Sequence, residues 1–300
     1  MNKAFNILTG LALGLMVSSC ESDVKQPTDT LSSGKLIVSA DETYKPIIEE
    51  QLRVFDSSYP NADITIQYKP EAECIKDFMN DSVKLILITR ELSADEKTVL
   101  ESKKAVPTSL AIAKDAMAVI VNNSNADSAL SKTQIKGILT GKYAKKYTVV
   151  FDNQGSSTLR YVMDSLIPGE KLGTNVFAAK GNDSVIAYVS KNPDAIGFLG
   201  VSSVSDYNDP EGLAFIKNVK VVSVFNDKSL KPYLPYQAYI APNDYQLTRN
   251  LYYIHRQTYP GIAVGFANFL AKERGQLIFK QARLFPLRMN VIFRSAEINQ

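Results

Sequence analysis

The stretch Lys35-Leu-Ile-Val-Ser-Ala40-Asp41-Glu42-Thr43-Tyr44 decides the fold class of this chain. Residues 35–40 predict a buried strand, because a short apolar run without alternation is typical of a strand covered on both faces. The polar residues that follow predict a loop, and the apolar residues between Ile47 and Phe55 then recur at helical spacing. A strand, a polar loop and a helix in this order predict an α/β fold.

The same unit returns further along the chain. Residues 149–151 predict a strand, 152–157 a polar loop and 158–166 a helix. Strands are also predicted at 64–68, 83–88, 195–199 and 219–225, and helices at 72–80 and 185–189. Prolines 232, 235 and 242 indicate a return to the first half of the chain, and two closing helices are expected between 247 and 270. Alternating strands and helices predict mostly parallel sheets.

Composition excludes several classes of protein. Apolar residues make up 45% of the chain and charged residues 22%, which is typical of a globular protein with one large or two medium cores. The formal net charge is only +3, and no cluster of basic and aromatic residues is present. We therefore expect no nucleic acid among the partners.

The first twenty residues predict an exported, lipid-anchored protein. Lys3 is followed by an apolar stretch at 7–17 and by Ser18-Ser19-Cys20, which is the pattern of a bacterial lipoprotein signal. The apolar stretch is shorter than the roughly 20 residues that a membrane-spanning helix needs. We therefore predict a signal peptide at 1–19, lipidation of Cys20, a flexible tether at 20–34, and a location in the periplasm or on the cell surface. Cys74 then has no partner for an intrachain disulfide.

Polar residues follow three predicted strands at the point where each strand ends. In an open parallel sheet, ligands bind outside the carboxyl ends of the strands, so these three loops are expected to line one cleft. The candidate ligand-binding residues are Asp41, Glu42, Thr43, Thr89, Arg90, Asp152, Gly155, Ser156, Ser157, Thr158 and Arg160.

The loop Gly155-Ser156-Ser157-Thr158 is the most informative of the three. Glycine permits a tight turn, and a helix that starts here presents N–H groups and hydroxyls that suit a small oxyanion. Arg90, or Arg160 in the first helical turn, would supply a guanidinium that matches two anion oxygens. Ordinary helix capping also explains the serines, and ordinary surface positions also explain Arg90 and Glu42.

A serine hydrolase is the main enzymatic alternative, because Ser156 and Ser157 lie between a strand and a helix. The chain lacks a G-x-S-x-G pattern, and its single histidine, His255, lies far along the sequence. One histidine and two cysteines also provide no ligand spacing for a metal. We therefore predict no enzyme, no metal and no cofactor.

The chain resembles the phosphate-binding lipoproteins of phosphate ABC transporters. The matching segments follow the order of the family and are 34–40, 88–90, 134–142, 155–158, 195–200 and 245–252 with 267–270. These lipoproteins are type II periplasmic binding proteins. The resemblance implies two α/β lobes, each a mostly parallel sheet flanked by helices, that are joined by two crossing strands and close over a dehydrated anion. It also implies inorganic phosphate or a similar oxyanion as ligand, an ABC permease as partner, and a monomer. Lobe 1 would comprise 35–112 and 240–300, and lobe 2 would comprise 113–239.

Two departures from the family pattern bear on the ligand. Relatives commonly have a Gly-Ser-Gly-Thr loop preceded by an arginine, whereas this chain has Gly-Ser-Ser-Thr and Asp152. Asp41 and Glu42 also stand where relatives tend to have small residues. These carboxylates would accept a hydrogen bond from protonated phosphate and reject sulfate, or they would point into solvent. A receptor or scaffold of the same fold for another solute or a protein partner is therefore the second hypothesis.

Overall fold

The structure is a computed structural model that describes residues 28–209 and 213–291. The predicted signal peptide and the lipidation site Cys20 lie outside the described residues, so both stay predictions. Among the helices of the described part of the chain, none combines the length and the apolar character needed to cross a membrane.

Strands and helices alternate through most of the chain, as the apolar pattern predicts. The strands are β1 Gly34–Asp41, β2 Ala62–Lys69, β3 Leu85–Ile88, β4 Thr108–Val121, β5 Ala129–Leu130, β6 Thr148–Phe151, β7 Val176–Ala178, β8 Ala195–Gly200, β9 Lys220–Phe225, β10 Pro232–Tyr233, β11 Thr248–His255 and β12 Phe285–Pro286. The α-helices are α1 Lys45–Ser58, α2 Glu71–Met79, α3 Ala94–Ser102, α4 Lys132–Leu139, α5 Ser157–Tyr161, α6 Asn182–Lys191, α7 Gln237–Ile240, α8 Ile262–Ala271 and α9 Glu273–Gln281.

Two parallel groups of strands are joined by antiparallel strands. β1 pairs in parallel with β2 and β3, and β6 pairs in parallel with β7 and β8. Between the two groups lie β11 and β4, in the order β2-β1-β3-β11-β4-β8-β6-β7. The 14-residue β4 pairs with β11 over its first part and with β8 and β9 over its last. The predicted two-lobed α/β fold is confirmed.

Separate apolar cores cover the two groups of strands. The first contains Val38 and Leu85 with Phe55 of α1 and Phe266 of α8, and a smaller cluster around Phe78 covers the other face. The second parallel group packs against its own helices, again on both faces. Burial on both faces explains why these strands are continuous apolar runs.

One prediction of secondary structure is wrong. Residues 248–255, which were expected to belong to a closing helix, form β11, and the two closing helices begin only at Ile262. Alternation in this segment places Arg249, Leu251 and Tyr253 on the buried side, and this period of two is the pattern of a strand. His255 is therefore a strand residue. The predicted helix at 158–166 is also irregular, because it becomes a π-helix at Val162–Leu166.

Candidate functional site

The ends of β1 and β6 meet above the antiparallel pair β4 and β11. Asp41 is the last residue of β1, and Asp152 follows the last residue of β6. Both side chains are buried, at 0% and 1% exposure. The polar loops that follow the two strands contact β4 and β11, because Tyr44 donates to Asp115 and Arg249 donates to Ser157.

A buried ion pair forms the floor of this region. Arg249 of β11 and Asp115 of β4 are direct cross-strand partners, and the Arg249 Nε donates to Asp115 Oδ2 at 3.0 Å. Tyr44 donates its hydroxyl to the same oxygen at 2.7 Å. Burial lowers the pKa of Arg249, but Tyr44, Asp115 and Asp41 more than offset this and raise it, so Arg249 is charged.

Arg249 also reaches the serine loop. Its Nη1 donates to Ser157 Oγ at 3.0 Å, which links β11 to the start of α5. Its Nη2 is buried and has no hydrogen-bond partner within the protein. One donor of a buried guanidinium therefore points to a space without a protein acceptor, and a buried donor is costly unless a ligand or water satisfies it.

Further buried polar atoms of the same region have no protein partner. They include two hydroxyls, Thr43 Oγ1 and Thr158 Oγ1, and three carboxylate oxygens, Asp41 Oδ2, Asp115 Oδ1 and Asp152 Oδ2. Buried polar groups in proteins are nearly always hydrogen-bonded. Such a concentration around one arginine is therefore what a polar ligand site requires.

Gly200, the last residue of β8, lies close to Asp115, Thr43 and Arg249. A Cβ added at Gly200 would lie 3.4 Å from Asp115 Oδ2, 3.4 Å from Thr43 Cγ2 and 3.6 Å from Arg249 Nη2. Thr43 and Asp152 together line a cavity of about 430 Å³. A side chain at position 200 would therefore contact Thr43, Asp115 and Arg249, and Thr43 also borders the cavity.

Burial perturbs both aspartates at the strand ends. Burial and the charge of Glu71 raise the pKa of Asp41 to about 6, although Arg249 and the Ser157 side chain act in the opposite direction. Burial also raises the pKa of Asp152, against Ser156, the Asn153 N–H and Arg249. Each carboxyl therefore holds a proton more readily than an exposed aspartate does.

Six of the predicted site residues come together here. Asp41, Thr43, Asp152, Ser156, Ser157 and Thr158 are all at most 5% exposed. Ser156 has a local role, because its Oγ accepts from the Leu159 N–H at 3.1 Å and caps α5. Ser157 Oγ instead contacts Arg249, and the hydroxyl of the following Thr158 is buried without a protein partner.

The two predicted arginines bond to other groups. Arg90 forms a two-bond ion pair with Glu96 of α3, at 2.7 Å for both contacts. Arg160 pairs with Glu71 and donates to Thr89 Oγ1 at 2.8 Å, and the Thr89 N–H donates to Glu71 at 2.6 Å. The structure thus places Thr89, Arg90 and Arg160 beside the cleft rather than at the Arg249 pair.

Glu42 and Gly155 lie at the edge of the site. Glu42 accepts from the Asn153 side-chain amide, and burial together with Asp152 and Glu73 raises its pKa. The Gly155 N–H donates to Asn153 Oδ1 at 2.9 Å. The first loop and the serine loop are therefore in direct contact across the cleft.

Sequence reasoning missed Arg249, Asp115 and Tyr44. The sequence does contain a pattern that could have identified Arg249 and Asp115. Arg249 alternates with the apolar Leu251, and Asp115 interrupts the apolar run of β4, so each occupies an inward position of a strand. A charge at an inward position needs a buried partner. Their pairing depends on the register between β4 and β11, which the sequence alone does not state.

Acidic residues of the site do not make a metal centre. In residues 28–209 and 213–291, no group of three or more histidine, cysteine, aspartate or glutamate side chains could hold a metal ion. The arrangement instead combines one guanidinium, several hydroxyls and several carboxylates. This set suits a small ligand that both accepts and donates hydrogen bonds.

Comparisons with known proteins agree with this architecture. Residues 25–274 match a family model described as "PBP superfamily domain". A stretch of 112 residues is 32% identical to phosphate-binding protein PstS 2 of Streptococcus agalactiae, and it spans 37% of this chain but only 36% of that relative. Phosphate-binding protein PstS of Pseudomonas aeruginosa is 24% identical over 239 residues, covering 70% of this chain and 74% of the relative.

Solved structures share the fold. A putative phosphate ABC transporter substrate-binding protein with bound phosphate from Clostridium perfringens superposes with a TM-score of 0.71 at 21% identity, over 85% of this chain and 100% of the other. The family model covers most of the chain, and the predicted resemblance to periplasmic binding proteins is confirmed. The chain belongs to the PBP superfamily.

Proposed function

We propose that this chain is a solute-binding receptor that captures inorganic phosphate in the cleft between its lobes and delivers it to an ABC permease. One observation carries the proposal. Arg249 Nη2, Thr43 Oγ1 and Thr158 Oγ1 are buried donors without protein partners; Nη2 and the Thr43 side chain lie beside Gly200, and Thr158 follows Ser157, to which Arg249 donates. Buried donors that lack protein partners, one of them charged, are what a small tetrahedral oxyanion needs.

Names of the relatives support the same ligand. Two aligned relatives are named phosphate-binding proteins, and the Clostridium perfringens structure holds bound phosphate. A receptor with this function works outside the cytoplasm and does not catalyse a reaction. Arg249 would replace the loop arginine that is common in relatives, since Asp152 stands at that position.

Geometry does not favour hydrolysis. Ser156 caps a helix and Ser157 Oγ accepts from Arg249, and the two hydroxyls interact with Asp152 and Asp41 rather than with a histidine. His255 lies six residues from Arg249 along β11, which corresponds to about 20 Å of extended strand. General-base activation of either serine would need a histidine within hydrogen-bond reach.

Calorimetric titration of the protein 21–300 with phosphate tests the proposal, after dialysis that removes carried-over anion. We expect saturable 1:1 binding that is lost in Arg249→Ala. Arg53→Ala, which removes an exposed arginine, is the matched control and should bind as the unmodified protein does. Absence of phosphate binding in a folded, anion-free protein would refute the proposal.

A receptor for another solute is the second candidate, and the charges favour it. Asp41, Asp115 and Asp152 are all buried and each interacts with Arg249, so the carboxyl groups outnumber the guanidinium. A cationic or neutral solute would be favoured by such a potential. A thermal-shift screen of amino acids, polyamines and sugars distinguishes the two, since stabilisation by one of these and none by phosphate would select the second candidate.

Lobe closure would trap the ligand. We propose lobe boundaries at 35–112 with 240–300 and at 113–239, so that β4 and the segment before β11 connect the two bodies. Contacts across the cleft, such as Arg160 with Glu71 and Asn153 with Glu42, would form on closure. Binding proteins of this kind close by a hinge between lobes.

The lipid anchor is proposed on sequence grounds alone. Cys20 would carry the lipid, and the monomeric receptor would be tethered to a bacterial membrane through 20–34. Detergent phase partitioning of the full-length protein expressed in a bacterium tests this. We expect partitioning into the detergent phase, and a shift to the aqueous phase in Cys20→Ser.

A further inference from the structure

We propose that the end of the β1–β3 group opposite the cleft is a membrane-docking surface, which rests on the anionic phospholipid headgroups of the bilayer that would hold Cys20. We call this end the base, and it comprises 28–37, 81–84, 103–106 and 256–259. The inference rests on the proposed lipid anchor and does not depend on the ligand in the cleft. It follows from the place where the tether meets the folded body and from the side chains around that place.

Asp29 fixes the N-terminal segment to the base. Its Oδ1 accepts from the Tyr259 hydroxyl at 2.7 Å. Its Oδ2 accepts from the Gln257 side-chain amide at 2.9 Å and from the Ile262 N–H at 2.8 Å. A Cβ added at Gly34 would lie 2.4 Å from the Cβ of Asp29, so the chain packs closely against Asp29 before β1 begins. Residue 29 is therefore the point at which a tether would leave the folded body.

Residues 21–28 limit how far the base can lie from the lipid. An extended chain spans about 3.3–3.6 Å per residue, so Cys20 and Asp29 are at most about 30 Å apart. A folded body of about 260 residues has a radius of gyration of about 18 Å and is therefore roughly 45 Å across. Since the tether is shorter than the body, the base stays close to the bilayer and the opposite end of the molecule is kept away from it.

Strand β1 leads from the base to the cleft. It begins at Gly34 and ends at Asp41, and its 8 residues span about 23 Å. With the base on the bilayer, the cleft lies on the side that faces away from the lipid. Delivery of solute to a permease then requires the base to leave the bilayer, so the contact with lipid must be reversible.

Positive charge dominates the base. Its four segments contain five lysine and arginine side chains and two carboxylates, those of Asp29 and Asp81. Both carboxylates have partners, because Asp29 accepts the three hydrogen bonds described above and Asp81 pairs with Arg256 at 3.3 Å. Lys103 donates to the Met79 carbonyl at 2.9 Å, which places it beside the same group. A cluster of basic residues next to a membrane anchor is attracted by anionic lipids.

Two of the lysines share a concave surface. Lys35 and Lys84 line a cavity of about 630 Å³ together with Tyr259 and Ser82. The Lys35 side chain is 89% exposed and interacts at 3.6 Å with Asp63, and Lys84 Nζ lies 5.8 Å from the centre of the Tyr259 ring. Ammonium groups on flexible stems bind phosphate oxygens as point charges. The cavity therefore suits the phosphodiester of a lipid headgroup.

Apolar side chains stand among these charges. Leu31, Ile37 and Val106 are 43%, 46% and 74% exposed. Surfaces that combine lysines with exposed apolar side chains suit the boundary between lipid headgroups and acyl chains, because each kind of group contacts its own layer. The apolar side chains and the lysines of the base therefore fit the same occupant.

Lysine footprinting tests the proposal with the protein 20–300, coupled through the Cys20 thiol to a maleimide lipid in vesicles that contain phosphatidylglycerol. Cys74 is 0% exposed, so coupling is confined to Cys20. We expect acetylation of Lys35, Lys84 and Lys103 to be at least about threefold slower on these vesicles than in the free protein. Vesicles of phosphatidylcholine alone should protect them less.

Lysines of the second parallel group are the internal control. Lys191 and Lys228 are exposed and lie outside the base, so they should be acetylated at the same rate on the vesicles and in solution. Equal protection of these two lysines and of the base lysines would overturn the inference, because it would show that the vesicle shields the whole protein.

Two changes separate docking from the shortness of the tether. Insertion of about 20 glycine and serine residues after Ser22 should keep Lys103 protected, because the base itself binds the headgroups. Lys35→Glu combined with Lys84→Glu should restore the acetylation rate of Lys103 to that of the free protein. Lys191→Glu combined with Lys228→Glu is the matched control and should leave the protection unchanged.

The outcomes distinguish this inference from the proposed ligand. Base lysines that react equally on vesicles and in solution, or protection that disappears with the longer tether, would overturn it. The measurements on the unmodified surface decide this, whether or not a charge-reversed variant folds. Calorimetric phosphate binding should be unchanged in Lys35→Glu with Lys84→Glu, since both lysines lie at the far end of the β1–β3 group from Asp41. Failure of phosphate to bind would refute the proposed ligand and leave the footprint as expected.

Discussion

Arg249 is the residue on which the candidate site depends. Its side chain is 2% exposed and is held by Asp115, by Ser157 and by the ring of Tyr44, whose centre lies 5.5 Å from the guanidinium carbon. A planar guanidinium can hold all these partners and still direct Nη2 towards a ligand. An ammonium group has no such fixed geometry.

Arg249→Lys should therefore weaken phosphate binding by at least about tenfold while the protein still folds, because charge is kept but the directed donors are lost. We expect the unfolding free energy to fall by about 1–3 kcal/mol. Calorimetry and urea unfolding measure the two effects. Arg53→Lys, at an exposed position, is the control, and unchanged phosphate affinity in Arg249→Lys would remove Arg249 from the site.

Thr158→Val should separate binding from stability. The Thr158 hydroxyl is buried without a protein partner, so its replacement by a methyl group should leave the unfolding free energy unchanged or slightly higher. Phosphate affinity should fall by about tenfold, because one donor to the ligand is lost. Ser156→Ala should instead affect stability, because loss of the α5 cap should lower the unfolding free energy by about 1 kcal/mol. A large loss of stability in Thr158→Val would show that the hydroxyl has a structural partner.

Asp41 should make the unliganded protein less stable at neutral pH than at mildly acidic pH. Its pKa is raised from 3.8 to about 6 by burial and Glu71, so the native state binds this proton more tightly than the unfolded chain does. The ionised, buried carboxylate then costs about 3 kcal/mol above pH 6, and this cost disappears as the pH falls towards 4.

Asp41→Asn should be more stable than the unmodified protein by about 3 kcal/mol at pH 7 and by about half of that at pH 5. Urea unfolding in phosphate-free buffer measures this. A destabilised Asp41→Asn would contradict the expectation, and Asp63→Asn is the exposed control.

At the scale of elements, helix α8 is capped by a residue far away in sequence. Asp29 Oδ2 accepts from the Ile262 N–H at 2.8 Å and from Gln257, and Asp29 Oδ1 accepts from Tyr259 at 2.7 Å. Burial acts to raise the pKa of Asp29, but these hydrogen bonds outweigh it and lower the pKa. The segment before β1 is thereby fixed to the closing helix.

Asp29→Ala should lower the unfolding free energy by about 1–2 kcal/mol, the usual value of a helix cap. Because the pKa of Asp29 is lowered, its contribution is present above the unfolded pKa and is lost as the pH falls through the lower, folded value. Urea unfolding at neutral and acidic pH measures this, with Asp63→Ala as the control. Equal stability of Asp29→Ala at neutral pH would show that the cap contributes nothing.

For the whole molecule, contacts across the cleft hold the two bodies together. Glu71, whose side chain is 2% exposed, accepts from Arg160 of α5 and from Thr89, while the Arg249 Nη1 donates to Ser157. α2 and α5 belong to different parallel groups of strands, so the Arg160 pair connects the groups directly. An ion pair of this kind can stabilise the closed arrangement only while both partners remain.

Arg160→Met should therefore shift the unliganded protein towards an open form. In small-angle scattering we expect a larger radius of gyration than for the unmodified protein, and compaction upon addition of saturating phosphate. The expected affinity is lower, because closure has lost one of the contacts that favour it and the ligand must supply the difference. Arg53→Met is the matched control. Identical scattering of Arg160→Met and the unmodified protein, with and without phosphate, would show that this contact does not control closure.

The sequence by itself determined the α/β class, the order of most strands and helices before 247, and the loops at which β1 and β6 end. These features depend on local apolar periodicity and on polar residues at strand ends. The loops 41–44 and 152–158, for example, are recognised because each directly follows an apolar strand in the sequence. Only the tertiary structure decided which charged groups meet. Asp115 and Arg249 are 134 residues apart, and the register of β4 against β11 makes them partners. Arg90 and Arg160, which lie closest to the loops in sequence, bond to Glu96 and Glu71 instead, because an arginine binds the carboxylate that packing brings to it, wherever that residue lies in the chain.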